Sequence, residues 1–368
     1  MLSRDTPLFQ LCQILQGKAP PSKADWLSII ELANKGLVTP ALTCLTSQYP
    51  ADTPADVQAY LEEIYRRNVS RNDHLAAQLL EAVSALNSVE ITPILLKGTA
   101  LLAAAYPSKF GQRLMADLDI LVAPDQIELA INSLSKLGYR EESGSSDNPD
   151  IHFVALGRPS DVGQIDLHRK PPGPDSFYRA IGRIVEHCRP LVCNGVRANL
   201  PSSTYQALIL ICHDQLHDED YRAARIDLRH LLDLRDLLYS TDGIDWKLIT
   251  SIPHNSFVRN AIETHLLTLQ ELLAVDIPGE FKKRIVPRFQ CWRRLQQINR
   301  PKLRFALSAI ALLVDCPGYL RSRGQNQLSV RSDSAQVESR SNLLPTWAGL
   351  KWMFYNRYLY EDGIVGKL

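Results

Sequence analysis

The sequence predicts an α+β fold, a short mixed sheet with flanking helices held between helical N- and C-terminal regions. Three observations predict it. Apolar residues recur three and four apart through residues 1–88 and again after Pro201. Short apolar runs bounded by Gly, Pro and Asn lie between them. One of those runs, "DLDILV" at 117–122, carries two aspartates where a core strand is expected to be apolar.

In order along the chain, "ADWLSIIELANKGLV" and "ADVQAYLEEIYRRNVSRNDHLAAQLLEAVSALN" read as helices, the second after the Asp-Thr-Pro of 52–54. "ITPILLKG" (91–98) reads as a strand stopped by Gly98, and "TALLAAAY" (99–106) as a helix ended by Pro107. "DLDILV" is a strand, and "PDQIELAINSLSKLGY" (124–139) a helix opened by Pro and closed by Gly138. "HFVAL" (152–156) and "GQIDLHR" (163–169) read as paired strands, and "RPLVC" and "VRANL" as a hairpin about Asn194-Gly195. Helices return with "STYQALILICHDQLH", "AARIDLRHLLDLRDLLY" and "SFVRNAIETHLLTLQELLA". At 368 residues the chain exceeds one compact core. The expected division is 1–88 helical, 89–200 α/β, 201–317 helical, 318–342 a polar linker and 343–368 an aromatic-rich helix.

On a strand, residues two apart face the same way, about 6.5–7 Å apart. Asp117 and Asp119 therefore share a face and repel by ~2–3 kcal/mol at an effective dielectric of 20. Divalent cations offset such a cost, and two of them fit between carboxylates and the oxygens of a polyphosphate. By itself the pair fits a solvated strand end equally well. Three neighbours favour the metal reading. Gly98 and Thr99 end a strand and open a helix, which suits phosphate, although a plain turn with an N-cap explains them too. In "GQIDLHR" the alternation puts Gln164, Asp166 and His168 on one face, so Asp166 offers a third carboxylate. Lys97 and Arg113 stand beside these segments as phosphate partners or as salt-bridge cations.

"LLKGTALLAAAYP", Arg113, "DLDILV", "LGY" and "IDLH" together resemble the nucleotidyltransferase superfamily that includes DNA polymerase β. They are most similar to its bacterial branch of uncharacterised nucleotidyltransferases. The resemblance runs over residues 90–240 and extends to Cys212-His213 and to Asp233 or its neighbourhood. It implies a polymerase-β-like core with Mg²⁺ or Mn²⁺ ions on Asp117, Asp119 and Asp166. It also implies transfer of a nucleoside monophosphate from an NTP to an acceptor, with release of pyrophosphate. Lys97, Gly98, Thr99 and Arg113 would meet the nucleotide phosphates, Asp166 would take the acceptor proton, and His168 and His213 would line the substrate. The chain departs from the usual Gly-Gly or Gly-Ser turn in having Gly98-Thr99. "KGTAL" (97–101) also resembles toxin nucleotidyltransferases, which keeps RNA, such as tRNA, or protein open as acceptor. A degenerate nucleotide-binding scaffold is the third reading, and the presence of all three carboxylates argues against it.

Other features are weaker. "CHDQLH" puts His213 and His217 four apart, the spacing of a zinc pair. No third ligand is evident from the sequence, so a structural or substrate-lining role fits better. Residues 281–305 carry nine Lys/Arg and no carboxylate, with aromatics between them, as an RNA-facing surface does. Amphipathic helices with solvated charges fit the stretch better. Net charge is +1 overall, which points to no global nucleic-acid or membrane field. Seven cysteines without a CxxC spacing read as reduced thiols of a cytoplasmic protein. The first residues lack the apolar stretch of a secretory signal, and no apolar run is long enough to span a bilayer.

Overall fold

The computed structural model describes residues 6–104, 110–142, 153–173, 177–178, 183–252, 256–311, 313–315 and 363–365. Three N-terminal helices, α1 (Pro7–Leu15), α2 (Trp26–Lys35) and α3 (Thr39–Thr46), precede the 34-residue α4 (Ala55–Ser88). Asp25 starts α2 by accepting the Ser28 backbone N–H at 3.2 Å, a side-chain N-cap.

Seven strands form one sheet: β1 (Ile94–Leu95), β2 (Asp117–Leu121), β3 (Arg140–Glu141), β4 (Phe153–Gly157), β5 (Gln164–His168), β6 (Cys188–Cys193) and β7 (Val196–Pro201). Their spatial order is β3-β4-β5-β2-β1-β7-β6. At its centre β2 runs parallel to β5 and antiparallel to β1. This is the mixed sheet the sequence predicts, with the expected hairpin at β6–β7. Asn194 and Gly195 both take positive φ there, +48° and +82°, as the tight turn between twisted strands requires. The "ITPILLKG" strand is shorter than expected, because helix α5 (Lys97–Ala103) begins one residue before Gly98. Lys97 makes the turn with φ +45°, a left-handed conformation rare outside glycine. The next helix, α6 (Ile127–Ser135), follows a 3₁₀ turn at Pro124–Gln126.

After the sheet come α7 (Ser203–Cys212), a π-helical turn (His213–His217), α8 (Leu228–Leu238), α9 (Ser256–Leu273) and α10 (Ile285–Asn299). Among the described residues, apolar side chains gather in two large cores and a small cluster of Tyr221, Phe257 and Ala261. One contains Leu118, Ile120, Ile165 and Leu167 of the sheet with Leu75, Leu79 and Leu86 of α4. The other joins α1–α3 to α7–α10, so the two ends of the chain share a core. The inward residues of β2, Leu118 and Ile120, are fully buried. Their burial contributes roughly 3–6 kcal/mol, enough to anchor a strand whose other face is charged.

The expected linker at 318–342 lies outside the described residues, as does most of 343–368. Where the sequence expects a helix, the described part of that tail is the strand β9 (Ile364–Val365), paired in parallel with β8 (Ile226–Asp227). Within 281–305 the structure departs from the expectation that the charges of these amphipathic helices are all solvated. Arg293 and Arg294 are fully buried, and Arg293 Nη2 donates to the Tyr221 carbonyl at 2.7 Å. Among the described residues no helix is long and apolar enough to cross a membrane.

Candidate nucleotide and metal site

The sheet register brings the predicted carboxylates together. Asp119 on β2 lies directly beside Asp166 on β5, and Asp117 beside Gln164. Asp119 and Asp166 are buried, while Asp117 at the strand end is half-buried. Each of Asp119, Asp166 and His168 offers a ligand atom within 4.8 Å of the other two.

Asp119 is held on three sides. Its backbone N–H donates to Thr99 Oγ1 at 2.7 Å. Lys97 Nζ donates to its Oδ1 at 2.8 Å, and His168 Nε2 lies 2.9 Å from the same oxygen. Burial works against the Asp119 charge, but Lys97 and the His168 hydrogen bond outweigh it and hold the carboxyl well below its ordinary range. The other two carboxyls go the opposite way. Burial first, then the Asp119 charge, raises Asp117. Burial, then the charges of Asp119 and Asp117, pushes Asp166 up to about 7. Asp166 Oδ1 is buried and has no hydrogen-bond partner among the described residues. Lys97 acts on all three carboxyls, Arg229 and Arg113 act on Asp117 as well, and burial with the mutual repulsion still leaves Asp117 and Asp166 raised.

The other expected site residues are engaged within the fold. Arg113 is not turned to an open phosphate site. Its Nε and Nη2 clamp Asp233 of α8 at 2.8–2.9 Å, and its guanidinium packs on Gly98. A Cβ on Gly98 would stand 2.4 Å from Arg113 Nη1, so this glycine makes room for an arginine rather than lying open to phosphate. The Thr99 hydroxyl fastens α5 to β2 instead of facing outward. His168 is 1% exposed and braces Asp119. His213 keeps 16% of its side chain exposed, with Nδ1 3.3 Å from both Asp214 Oδ1 and Asp218 Oδ2. Burial, then the Lys97 charge, brings its imidazole down to about 4.

The chain matches the family model described as uncharacterised nucleotidyltransferase over residues 22–274. It belongs to that family. No curated protein and no solved structure matches it. The matched stretch of this nucleotidyltransferase covers the whole sheet and helices α2 to α9, so Asp233 falls inside it and the buried arginines of α10 fall outside.

Sequence reasoning missed the support under the site. Asn68 and Asn72 of α4 are buried, and their amides donate to the carbonyls of Phe110, Gly111 and Arg113 at 2.5–3.0 Å. Arg71 Nε donates to the Met115 carbonyl at 2.7 Å. The segment that aims Arg113 and leads into Asp117 is therefore fixed by side chains some forty residues earlier. The available signal was polar residues at 68, 71, 72 and 78 within an otherwise apolar helix face.

Proposed function

We propose that this protein is a metal-dependent nucleotidyltransferase that moves a nucleoside monophosphate from an NTP to an acceptor hydroxyl and releases pyrophosphate. The observation that carries the reading is the pairing of Asp119 with Asp166 across β2 and β5, with the Asp166 Oδ1 oxygen unbonded in a buried acidic cluster. The residues fit a hard divalent ion. All three carboxylates supply oxygen, two carry raised carboxyl pKa values, and one oxygen lacks a donor. Asp117, Asp119 and Asp166 would hold Mg²⁺ or Mn²⁺. Bound there, the ion neutralises the triphosphate and acts as a Lewis acid toward its phosphoryl oxygens.

The chain's own groups do the rest. His168 and Thr99 fix Asp119, so the acidic pair is preorganised before nucleotide arrives. Lys97 spends one of its three donors on Asp119 and has others for a phosphate oxygen. Arg113, clamped to Asp233, holds the Gly98 turn and the approach to β2 in place. Asp166, about half protonated near pH 7 at its raised pKa, would accept the proton of the acceptor hydroxyl in its ionised form. Positioning and charge neutralisation supply most of the rate in such transfers.

Label transfer from each of the four α-labelled NTPs to small-molecule, peptide and RNA acceptors tests this directly. Asp119→Asn keeps the volume and removes a ligand charge, and its expected effect is a loss of at least about 100-fold. Transfer at the wild-type rate by a folded Asp119→Asn protein would sink the reading.

A further inference from the structure

A second side-chain cluster lies outside the acidic site, where the π-helical turn meets α8. Asp214 Oδ1 is the focus. His230 Nδ1 lies 2.8 Å from it and His213 Nδ1 3.3 Å. Asp218 Oδ2 is 3.3 Å from His213 Nδ1 on the open side. The ligand atoms of His213, Asp214 and His230 all fall within 4.8 Å of one another. Asp214 and His230 are buried, and His213 and Asp218 keep 16% and 21% of their side chains exposed. One side of the cluster is thus closed and the other reachable.

These spacings are close to those of an ion's coordination shell. Bonds of 2.0–2.1 Å in a tetrahedral shell put neighbouring donors about 3.3–3.4 Å apart. The Asp214–His213 separation of 3.3 Å has that value, and the Asp214–His230 separation of 2.8 Å is a hydrogen-bond distance that opens by about half an ångström when an ion takes the place of the proton. The donors, two imidazole nitrogens with a carboxylate oxygen, are those a borderline ion of the zinc class prefers over Mg²⁺. An independent observation points the same way. Asp227 Oδ2 is buried, has no hydrogen-bond partner among the described residues, and stands 3.7 Å from His230 Nδ1. Two buried carboxylates therefore face one imidazole nitrogen, and a dication neutralises both. The local backbone suits the arrangement too. The π-helical turn places His213 against Asp214, and α8 brings His230 across to it, whereas the i+4 neighbour His217 is outside the ligand group.

We propose that His213 Nδ1, His230 Nδ1 and Asp214 Oδ1 are the three protein ligands of a four-coordinate transition-metal site of the zinc class, its fourth position open on the exposed side, distinct from the acidic carboxylates. The site lies within electrostatic reach of Lys97. The ion ties the π-helical turn to α8, the helix that carries Asp233 and through it Arg113. Its role is structural positioning, and it stands whether or not the acidic site transfers nucleotides.

The full-length protein, freed of metal by chelator, is titrated with Co²⁺ and read by visible absorption, where a four-coordinate ion absorbs far more strongly than a six-coordinate one. The expected result is one equivalent of strongly absorbing Co²⁺, displaced by Zn²⁺. The band persists in Asp166→Asn and weakens in apparent affinity by at least about tenfold in His213→Asn and His230→Gln. His213 is partly exposed, so His213→Asn serves if the buried His230 variant does not fold. Absence of a strong band in the wild type overturns the proposal. So does a band that His213→Asn leaves unchanged, or one that Asp166→Asn abolishes.

Discussion

Asp119 keeps its charge in a buried position because Lys97 and His168 meet its carboxylate, while the Thr99 hydroxyl holds its backbone N–H. Removing the ammonium leaves a buried carboxylate short of its main partner. Lys97→Met is expected to cost ~3–5 kcal/mol, as breaking a buried pair does, with chemical denaturation as the measurement. Asp166 sets a pH dependence with a definite sign. Its folded carboxyl titrates at about 7, above the ordinary carboxylate value. Between about pH 4 and 7 the folded state therefore binds more protons than the unfolded one, and the metal-free protein loses stability as pH rises through that window. An ion bound to the carboxylate removes the penalty, so the Tm gain from Mg²⁺ is expected to grow from pH 5 to pH 7.5. A gain that is flat with pH would show that Asp166 does not ligate. The aspartates and their shared face were legible in the sequence because strand alternation is a local rule. The partners of Asp119 were only half legible, since Lys97 and His168 were visible as neighbours but their convergence on one oxygen depends on sheet register.

Helix α4 shows what local patterns conceal. Its length and start were readable from periodicity, yet its function here is to hold another element. Asn72 Nδ2 donates to two loop carbonyls, Phe110 and Arg113. Asn72→Leu strands the Phe110 carbonyl, while the Arg113 carbonyl keeps its bond from Asn68, and is expected to cost about 1–3 kcal/mol. Asn72→Leu is also expected to slow transfer by blurring the aim of Asp117, with kcat rather than KM carrying the loss. At Gly98 the added methyl of an alanine meets the Arg113 guanidinium, which the Asp233 clamp keeps from moving freely. Gly98→Ala is therefore expected to break the clamp and to mimic Asp233→Asn in Tm and in activity. Reading Gly98 as a phosphate turn was natural from strand–Gly–helix order. The residue that fills its space comes from fifteen positions later, and no local rule reports it.

Across the molecule, the Arg113–Asp233 pair joins the sheet core to the helical core that both chain ends build. Asp233→Asn leaves a buried guanidinium without its counter-charge and is expected to lose ~3–5 kcal/mol. The double variant Arg113→Met/Asp233→Leu is expected to recover most of it while activity stays low. Helical, mixed and helical segments were visible in order along the chain. The shared core of the two helical regions was not, because amphipathic faces do not name their partners. The central claim is that the β2–β5 carboxylates bind nucleotide through a divalent ion. Calorimetric titration of each NTP into wild type and Asp166→Asn, with Mg²⁺ and with chelator, tests it most directly. The account predicts Mg²⁺-dependent binding of at least one NTP by the wild type and its loss in a folded Asp166→Asn. Binding that is equally strong in chelator, or equally strong in the variant, would contradict it.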